Sequence, residues 1–475
     1  MMLRSATSVL AGLALAGCVG KDYARPEIAL TERFAHEQAG DPLADPARAW
    51  ERFNDPALVR LLARSEGSLA VREALARLDE AQALRRQATG SYGPQVDAVA
   101  GAERQRTTAN GTNPQGGKTQ NRLSTGFDLS WEIDLVGGLE RTREASDAFL
   151  AGSQEQVRAV RLIWQAEVAD AYLAWRHAQV KATAIRARAE TSAESARLAR
   201  SRADLGAVDE ATAARAEAQA AALAAAVPQA EAQPRRDLQR LALLLATDTP
   251  ALERELGRQA PPAPPAALPP GLPSDLLRRR PDIRAAERDL AYTTARIGVA
   301  ESDLWPRFFI TGSAGLESIE SKDLFDSGSR YWSFGPSLRW SIFSYGRVQA
   351  GVAAAEAQER QALVRYERAV RTAITETELA LVGIRAAIDA ERAATASLKA
   401  AEAARAIATA RSEAGFGWDT RLEADLLWAG AVATHADTAA DLTRAHVAFI
   451  KAVGGGFQDP PAVPARSATA GVTRR

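Results

Sequence analysis

The chain has 475 residues, enough for more than one domain, and its 59 Lys+Arg are balanced by 59 Asp+Glu. That balance leaves no basic footprint for nucleic acid and implies no strongly charged partner. A single cysteine, Cys18, excludes any disulfide framework within the chain.

The N-terminus begins Met1-Met2-Leu3-Arg4 and continues into an apolar run from Val9 to Ala16, the layout of a secretory signal over residues 1–17. Leu15-Ala16-Gly17-Cys18 resembles a bacterial lipobox, in which cleavage precedes the cysteine and that residue carries lipid, palmitate among its acyl chains. Several acyl chains would make a stable anchor where one binds only marginally. Val19 at the next position, rather than Asp, favours the outer membrane in lipoproteins of this kind. Past the signal there is no apolar run of about 18 residues, so a membrane-spanning part must be made of strands.

Residues 18–54, punctuated by Pro26, Pro42 and Pro46, read as an extended arm with little structure. Asp55-Pro56 is a helix start, a cap followed by proline at the first helical position. A first repeat over 55–250 then follows: a helix at about 68–88, strands within about 95–134, and helices at about 139–204 and 210–247. From Leu123 the apolar residues Leu123, Thr125, Phe127, Leu129, Trp131 and Ile133 alternate with Ser124, Gly126, Asp128, Ser130 and Glu132. That period of two marks a strand with one apolar face. In the long helix, Val157, Val160, Trp164, Val168, Ala171 and Trp175 step by threes and fours as a coiled-coil seam. At 1.5 Å per residue its roughly 66 residues reach about 100 Å.

A proline-rich linker over 251–273 separates this from a second repeat over 274–457, with strands at about 307–343 and helices at about 281–303, 347–412 and 420–452. Trp332, Phe334, Pro336, Leu338, Trp340 and Ile342 restate the alternation at an offset of 209 residues, Trp131 to Trp340. Residues 458–475 read as a disordered tail. Four strands cannot close on themselves, and open edges are not tolerated in hydrocarbon. Arg122 to Asp134 would extend about 43 Å, or about 30 Å when tilted by about 45°, which matches a bilayer. Two, three or four chains would give eight, twelve or sixteen strands, and the geometry leaves that number open.

The sequence resembles the outer-membrane channel lipoproteins of tripartite efflux pumps. The resemblance rests on Gly20-Lys21-Asp22-Tyr23-Ala24-Arg25-Pro26, on Leu272-Pro273-Ser274-Asp275-Leu276-Leu277-Arg278-Arg279-Arg280-Pro281-Asp282-Ile283-Arg284-Ala285-Ala286-Glu287, on Arg296-Ile297-Gly298-Val299-Ala300 and on Lys451-Ala452-Val453-Gly454-Gly455-Gly456. It implies an α+β fold in which four β-strands per chain build a trimeric 12-stranded transmembrane β-barrel, continued by a long periplasmic α-helical barrel. It also implies partners: two further copies, a periplasmic adaptor, an inner-membrane transporter and outer-membrane lipid. The expected function is passive conduction of small molecules out of the cell. A polypeptide-secretion channel shares that architecture, and a coiled-coil adaptor without a pore would leave the four strands unused. Lys21 stands where the family usually has Pro, and Arg411-Ser412-Glu413-Ala414-Gly415 lacks its usual Arg-Tyr.

Under this reading the turns carrying Gly206, Val208 and Asp209 and carrying Gly415, Gly417, Trp418 and Asp419 form the periplasmic aperture and the adaptor contact. Asp209 and Asp419 ring the mouth, cap the following helices, or both. Gly111 to Thr119 imitates a phosphate loop, but its spacing fails and no helix follows. Arg278 to Arg280 read as a solvated run beside the linker. His36, His177, His435 and His446 are scattered without a ligand set, so no metal, no cofactor and no catalytic residues are expected.

Overall fold

The structure, a computed structural model, describes residues 19–35, 46–106, 108–110, 117–263, 273–414 and 417–455. After a 3-10 turn at Pro46–Phe53, the helices in chain order are α1 (Pro56–Leu62), α2 (Leu69–Gly90), α3 (Gly138–Asp204), α4 (Glu210–Leu244), α5 (Thr249–Leu256), α6 (Pro273–Arg279), α7 (Pro281–Ser302), α8 (Arg347–Glu413) and α9 (Trp418–Ala452). The strands are β1 (Gln95–Arg106), β2 (Thr119–Ile133), β3 (Arg307–Ser318) and β4 (Arg330–Arg339). Both long helices, α3 and α8, have 67 residues.

The described residues fall into two compact units that do not follow the two sequence repeats. One unit takes Met1–Ile28, Arg77–Gln154 and Ala285–Arg368, and the other Ala29–Ala76, Glu155–Arg284 and Ala369–Arg475. Each unit therefore draws on both halves of the chain.

The first unit contains an antiparallel sheet in the order β1-β2-β3-β4. Its register decides the character of the faces. Phe127 lies opposite Ala98 and Ala314, Leu129 opposite Val96 and Gly312, and Trp131 opposite Ile310. Across the next pair Phe334 lies opposite Gly312 and Trp332 opposite Ala314. Because side chains alternate, these residues and Leu338, opposite Phe308, all share one face. Large side chains sit beside small ones, and a Cβ on Gly312 would come within 3.1 Å of the Phe334 ring. The other face carries Asp97, Asp128, Ser313 and Ser333 in one register row. On that face Gly126 is paired with Gly315, and a Cβ on Gly126 would lie 2.5 Å from the Ala314 carbonyl, so the approach of β2 to β3 requires glycine.

The last strand is shorter than the alternation suggests. Pairing ends at Arg307 with Arg339 because Pro306, next on the partner, has no N–H to give. The amide of Ile342 bonds to the Trp340 carbonyl instead at 3.2 Å. Trp340 and Ile342 therefore lie beyond β4 rather than on it.

In the second unit α3 buries Trp164, Val168, Ala171, Tyr172 and Trp175 to 2 % exposure or less. Buried polar groups tie that face to the chain around it. Asp55 caps α1 through the amides of Ala57 (2.8 Å) and Leu58 (3.1 Å) and accepts from the Tyr172 hydroxyl at 2.7 Å. Arg176 donates to the carbonyls of Gly257 (2.8 Å) and Leu256 (2.9 Å) and lies 4.4 Å over the Trp175 ring. Two segments expected to be irregular have structure. The Pro46–Phe53 turn buries Ala49, Trp50 and Phe53, and α5 starts at Thr249 and runs into the predicted linker, with Asp248 accepting from Ala251 N at 3.1 Å. Burial of Leu252 and Leu256 fixes α5.

Candidate functional site

A conduit needs a wet face, a dry face and an end that can be gated. On the dry face Phe127 (61 %), Trp332 (80 %), Phe334 (68 %) and Leu338 (57 %) are exposed, and Trp131 and Val96 are exposed beside them. Leu123, Leu129 and Ile133 are half-buried on the same face. In a water-soluble protein such a face would be covered, and no described residue covers these side chains. At the helix-proximal end of the sheet, the Trp131 indole donates to the Tyr92 carbonyl at 2.7 Å and the Trp340 indole to the Leu304 carbonyl at 3.0 Å. The Tyr92 hydroxyl donates to Glu140 at 2.7 Å. Burial and that carboxylate push Tyr92 up to about 12, and the hydrogen bonds from Arg143 and Tyr92 hold Glu140 down at about 2. Asp134 accepts from the amides of Gly137 (2.8 Å) and Glu140 (2.9 Å), so the strand passes directly into the start of α3.

On the wet face Arg122 pairs with Glu317 at 2.8 Å across β2 and β3. The hydroxyls of Ser313 and Ser333 meet at 2.8 Å. Among the described residues none bonds the Asp128 carboxylate, which sits opposite Asp97.

The first helix turn closes α3 with a six-to-one bond, Ala207 N to Arg202 O (2.8 Å), and Gly206 N to Ala203 O (2.9 Å). This geometry puts Gly206 at φ +69° and leaves Leu205 83 % exposed. Val208 is half-buried. Asp209 is the N-cap of α4, accepting from Thr212 N at 2.7 Å, and those bonds hold its carboxyl below the usual range. At the second turn the cap position belongs to Gly417, in the left-handed region at φ +72°. Trp418 and Asp419 fall in the first turn of α9, past the cap position. Gly415 and Cys18 lie outside the described residues, as do His36 and residues 111–116 of the phosphate-loop lookalike.

Each helix pair also carries a brace that sequence reading did not find. Arg200 on α3 grips Glu217 with two bonds (2.7 and 2.9 Å) and Glu210 with a third (2.5 Å). Arg405 on α8 bonds Asp425 at 2.6 Å and lies 4.0 Å over the Trp428 ring. Only the opposite charges were visible beforehand; which of them face each other depends on how the helices pack.

Arg280 is a correction. Far from solvated, it is 7 % exposed; it donates to the Ala452 carbonyl at 3.0 Å and pairs with Asp282 and Glu376, each at 2.7 Å. Gly454, at φ +67°, passes so close that a Cβ would lie 3.2 Å from Arg280 Cγ. Arg280 thus ends α9 and joins two of the motifs that carried the resemblance. His177 is buried beside Thr443 (3.3 Å), and burial holds its imidazole down at about 4. Among the described residues no group of three or more His, Cys, Asp or Glu could hold a metal ion, and no helix is long and apolar enough to cross a membrane.

A strand sheet with one continuous apolar face and one polar face, fed by very long helices, defines an outer-membrane channel component rather than an enzyme. The chain belongs to the outer membrane efflux protein family, whose sequence profile it matches over residues 62–247 and 272–455. It is 29% identical over 475 residues to Nodulation protein T of Rhizobium leguminosarum bv. viciae, covering 98% of this chain and 96% of that one. It is 31% identical over 428 residues to outer membrane protein OprJ of Pseudomonas aeruginosa, covering 86% of both chains, and 31% identical over 384 residues to the toluene efflux pump outer membrane protein TtgI of Pseudomonas putida, covering 77% and 79%. The solved outer-membrane channel OprN superposes with a TM-score of 0.82 at 33% identity, covering 92% of this chain and 99% of that one. The open-state MtrE outer membrane channel of Neisseria gonorrhoeae gives 0.78 at 25%, covering 92% and 98%. The protein is an outer-membrane channel of an efflux system, and it is not an enzyme.

Proposed function

We propose that three copies of the chain join β1 of one to β4 of the next in a 12-stranded barrel across the outer membrane, continued by a helical barrel in the periplasm. The observation that carries this reading is the register, which gathers the apolar residues of all four strands on one face while β1 and β4 remain open edges. Leu123, Phe127, Leu129, Trp131, Ile133, Trp332, Phe334 and Leu338 meet lipid in this proposal, with Trp340 and Ile342 at the interface just below β4. Cys18 bears the lipid anchor.

A periplasmic adaptor meets the turns at Gly206, Val208 and Asp209 and at Gly415, Gly417, Trp418 and Asp419, and an inner-membrane transporter loads the conduit through it. The cargo is a class of small molecules. Relatives are named for the efflux of solvent and toluene, which makes small apolar compounds the first to try. Conduction is passive, and the carboxylates at the mouth favour cations.

Purified protein in planar bilayers tests the reading. Channel events are expected, with weaker cation preference in Asp209→Ala combined with Asp419→Ala; silence in both proteins would sink it. Spin labels at positions 129 and 130 test the faces, and a lipid-exposed 130 with a water-exposed 129 would turn the barrel inside out.

A further inference from the structure

The arm that follows the lipobox is held in an unusual way. Lys21, Asp22, Ala24 and Arg25 are exposed, so little apolar burial fixes the segment. It is gripped instead by its backbone. Arg141, in the first turn of α3 and 4 % exposed, donates from Nε to the Val19 carbonyl at 2.8 Å and from its terminal nitrogen to the Gly20 carbonyl at 3.2 Å. The same guanidinium bonds Asp22 at 2.8 Å and Glu144 at 2.6 Å. The Asp22 carboxylate is 91 % exposed, so that ion pair adds little; Lys21 bonds Glu359 at 2.6 Å, and the two carbonyl bonds hold Val19 and Gly20.

Two glycines make the grip possible. Gly20, at φ +88°, faces Gly298 of α7, and a Cβ on Gly20 would lie 2.6 Å from the Gly298 Cα. A Cβ on Gly298 would lie 2.7 Å from Arg141 Cγ and 2.9 Å from the Val19 carbonyl. The Val19 amide completes the seat by bonding to the Val136 carbonyl at 3.1 Å, between the end of β2 and the start of α3. From there Tyr23 reaches Glu287 at 3.4 Å and Arg25 reaches the same carboxylate at 3.5 Å. Gly298 and Glu287 are about 16 Å apart along α7, and Gly20 to Arg25 spans about that distance fully extended. The arm is taut from its first described residue.

We infer that Arg141, with Gly20 and Gly298, is the positioning site of the membrane anchor. It holds the chain one residue after the lipobox cysteine against the base of the sheet, so that the acyl chains enter the bilayer at that rim rather than from a free tether. The inference rests on the lipobox reading. Consecutive Cα atoms are about 3.8 Å apart, which leaves the anchor no slack once Val19 is seated. A guanidinium bonded to carbonyls fixes position without reading side chains, as an anchor seat requires.

The test uses the full-length trimer in lipid nanodiscs with a spin label at Ala24→Cys, an exposed position outside every contact above. Intact mass reports acylation at Cys18 in the same samples. The label is expected to be motionally restricted in the parent protein and to shorten its correlation time roughly five-fold or more in Arg141→Met and in Gly298→Ala, with acylation and channel conductance unchanged. It is also expected to stay restricted in Cys18→Ser exported on a non-lipoprotein signal. A label that stays restricted in Arg141→Met, or one freed by Cys18→Ser alone, overturns Arg141 as the seat. A parent mass without acyl chains overturns the lipobox reading itself, and with it the anchor role, whichever way the label behaves. Retained conductance in Gly298→Ala guards against a folding defect in Arg141→Met.

Discussion

Phe334 on β4 and Tyr172 on α3 are both large aromatic side chains on regular elements, yet the first is 68 % exposed and the second is fully buried. The helical unit buries the part of the α3 seam from Trp164 to Trp175 within one chain. The α3 seam meets α1, the segment around Leu256 and the α9 end within one chain, through Tyr172 bonded to Asp55, Arg176 bonded to two backbone carbonyls and His177 beside Thr443. The sheet finishes nothing: one face is apolar and bare, the other polar and bare, and both edges are open. The contrast teaches that hydrophobic patterning specifies a burial partner only when the partner is in the same chain. On the sheet, in the proposed barrel, the same driving force would be satisfied by lipid and by further copies.

The largest effect is expected where the helical unit is most self-contained. Arg176→Met leaves the carbonyls of Leu256 and Gly257 and the Tyr172 hydroxyl without the donor they share, which should cost about 3–5 kcal/mol. Urea unfolding followed by helical circular dichroism would read it, and a loss within error would mean that the network is dispensable.

The sheet should respond by face. Phe334→Lys puts a charge on the apolar side and should cost about 2–4 kcal/mol of folding into bilayers, whereas Ser333→Lys, one residue away on the polar side, should cost little. Gel mobility of unheated against boiled samples measures the folded fraction. Equal losses would break the distinction between the faces.

A third test uses pH. His177 sits at about 4 in the fold and near 6.5 when unfolded. The unfolded chain therefore binds more protons between those values. The contribution of this residue is complete above about pH 6.5 and is lost as pH falls towards 4, by an amount on the order of 2–3 kcal/mol. His177→Gln should flatten that window in melting curves taken across it. An unchanged slope would remove His177 as the cause.

The smallest effect is at the turn. Asp209→Ala loses the bond to Thr212 N and should loosen the helix start only locally, seen as faster amide exchange confined to the first turn of α4. Faster exchange along the whole of α4 would mean that Asp209 does more than cap.

Much of the candidate conduit was legible beforehand because strand and helix periods are local. Leu123 to Ile133 alternates, and Val157 to Trp175 steps by threes and fours, whatever surrounds them. The ends were less legible. Trp340 and Ile342 continue the alternation, and only the pairing of β4 with β3 shows that Pro306 stops the ladder before them. Asp419 looked as good a cap as Asp209, and the left-handed Gly417 took its place. The arginine run beside the linker looked solvated because charge alone does not show that Arg280 faces the exposed carbonyl at the end of α9.

The sequence by itself determined the long helices, the four strands, the apolar faces of β2 and β4 and the family, since these follow from side-chain spacing along one covalent chain and from motifs quoted along it. The tertiary structure decided which strand lies beside which and in what register, hence that the four apolar faces coincide. It also decided which charges meet, as in Arg200 with Glu217 and Arg405 with Asp425, and that Arg141 grips the backbone at Val19. Such pairings are set by distances between residues far apart in the chain, and no local period encodes them.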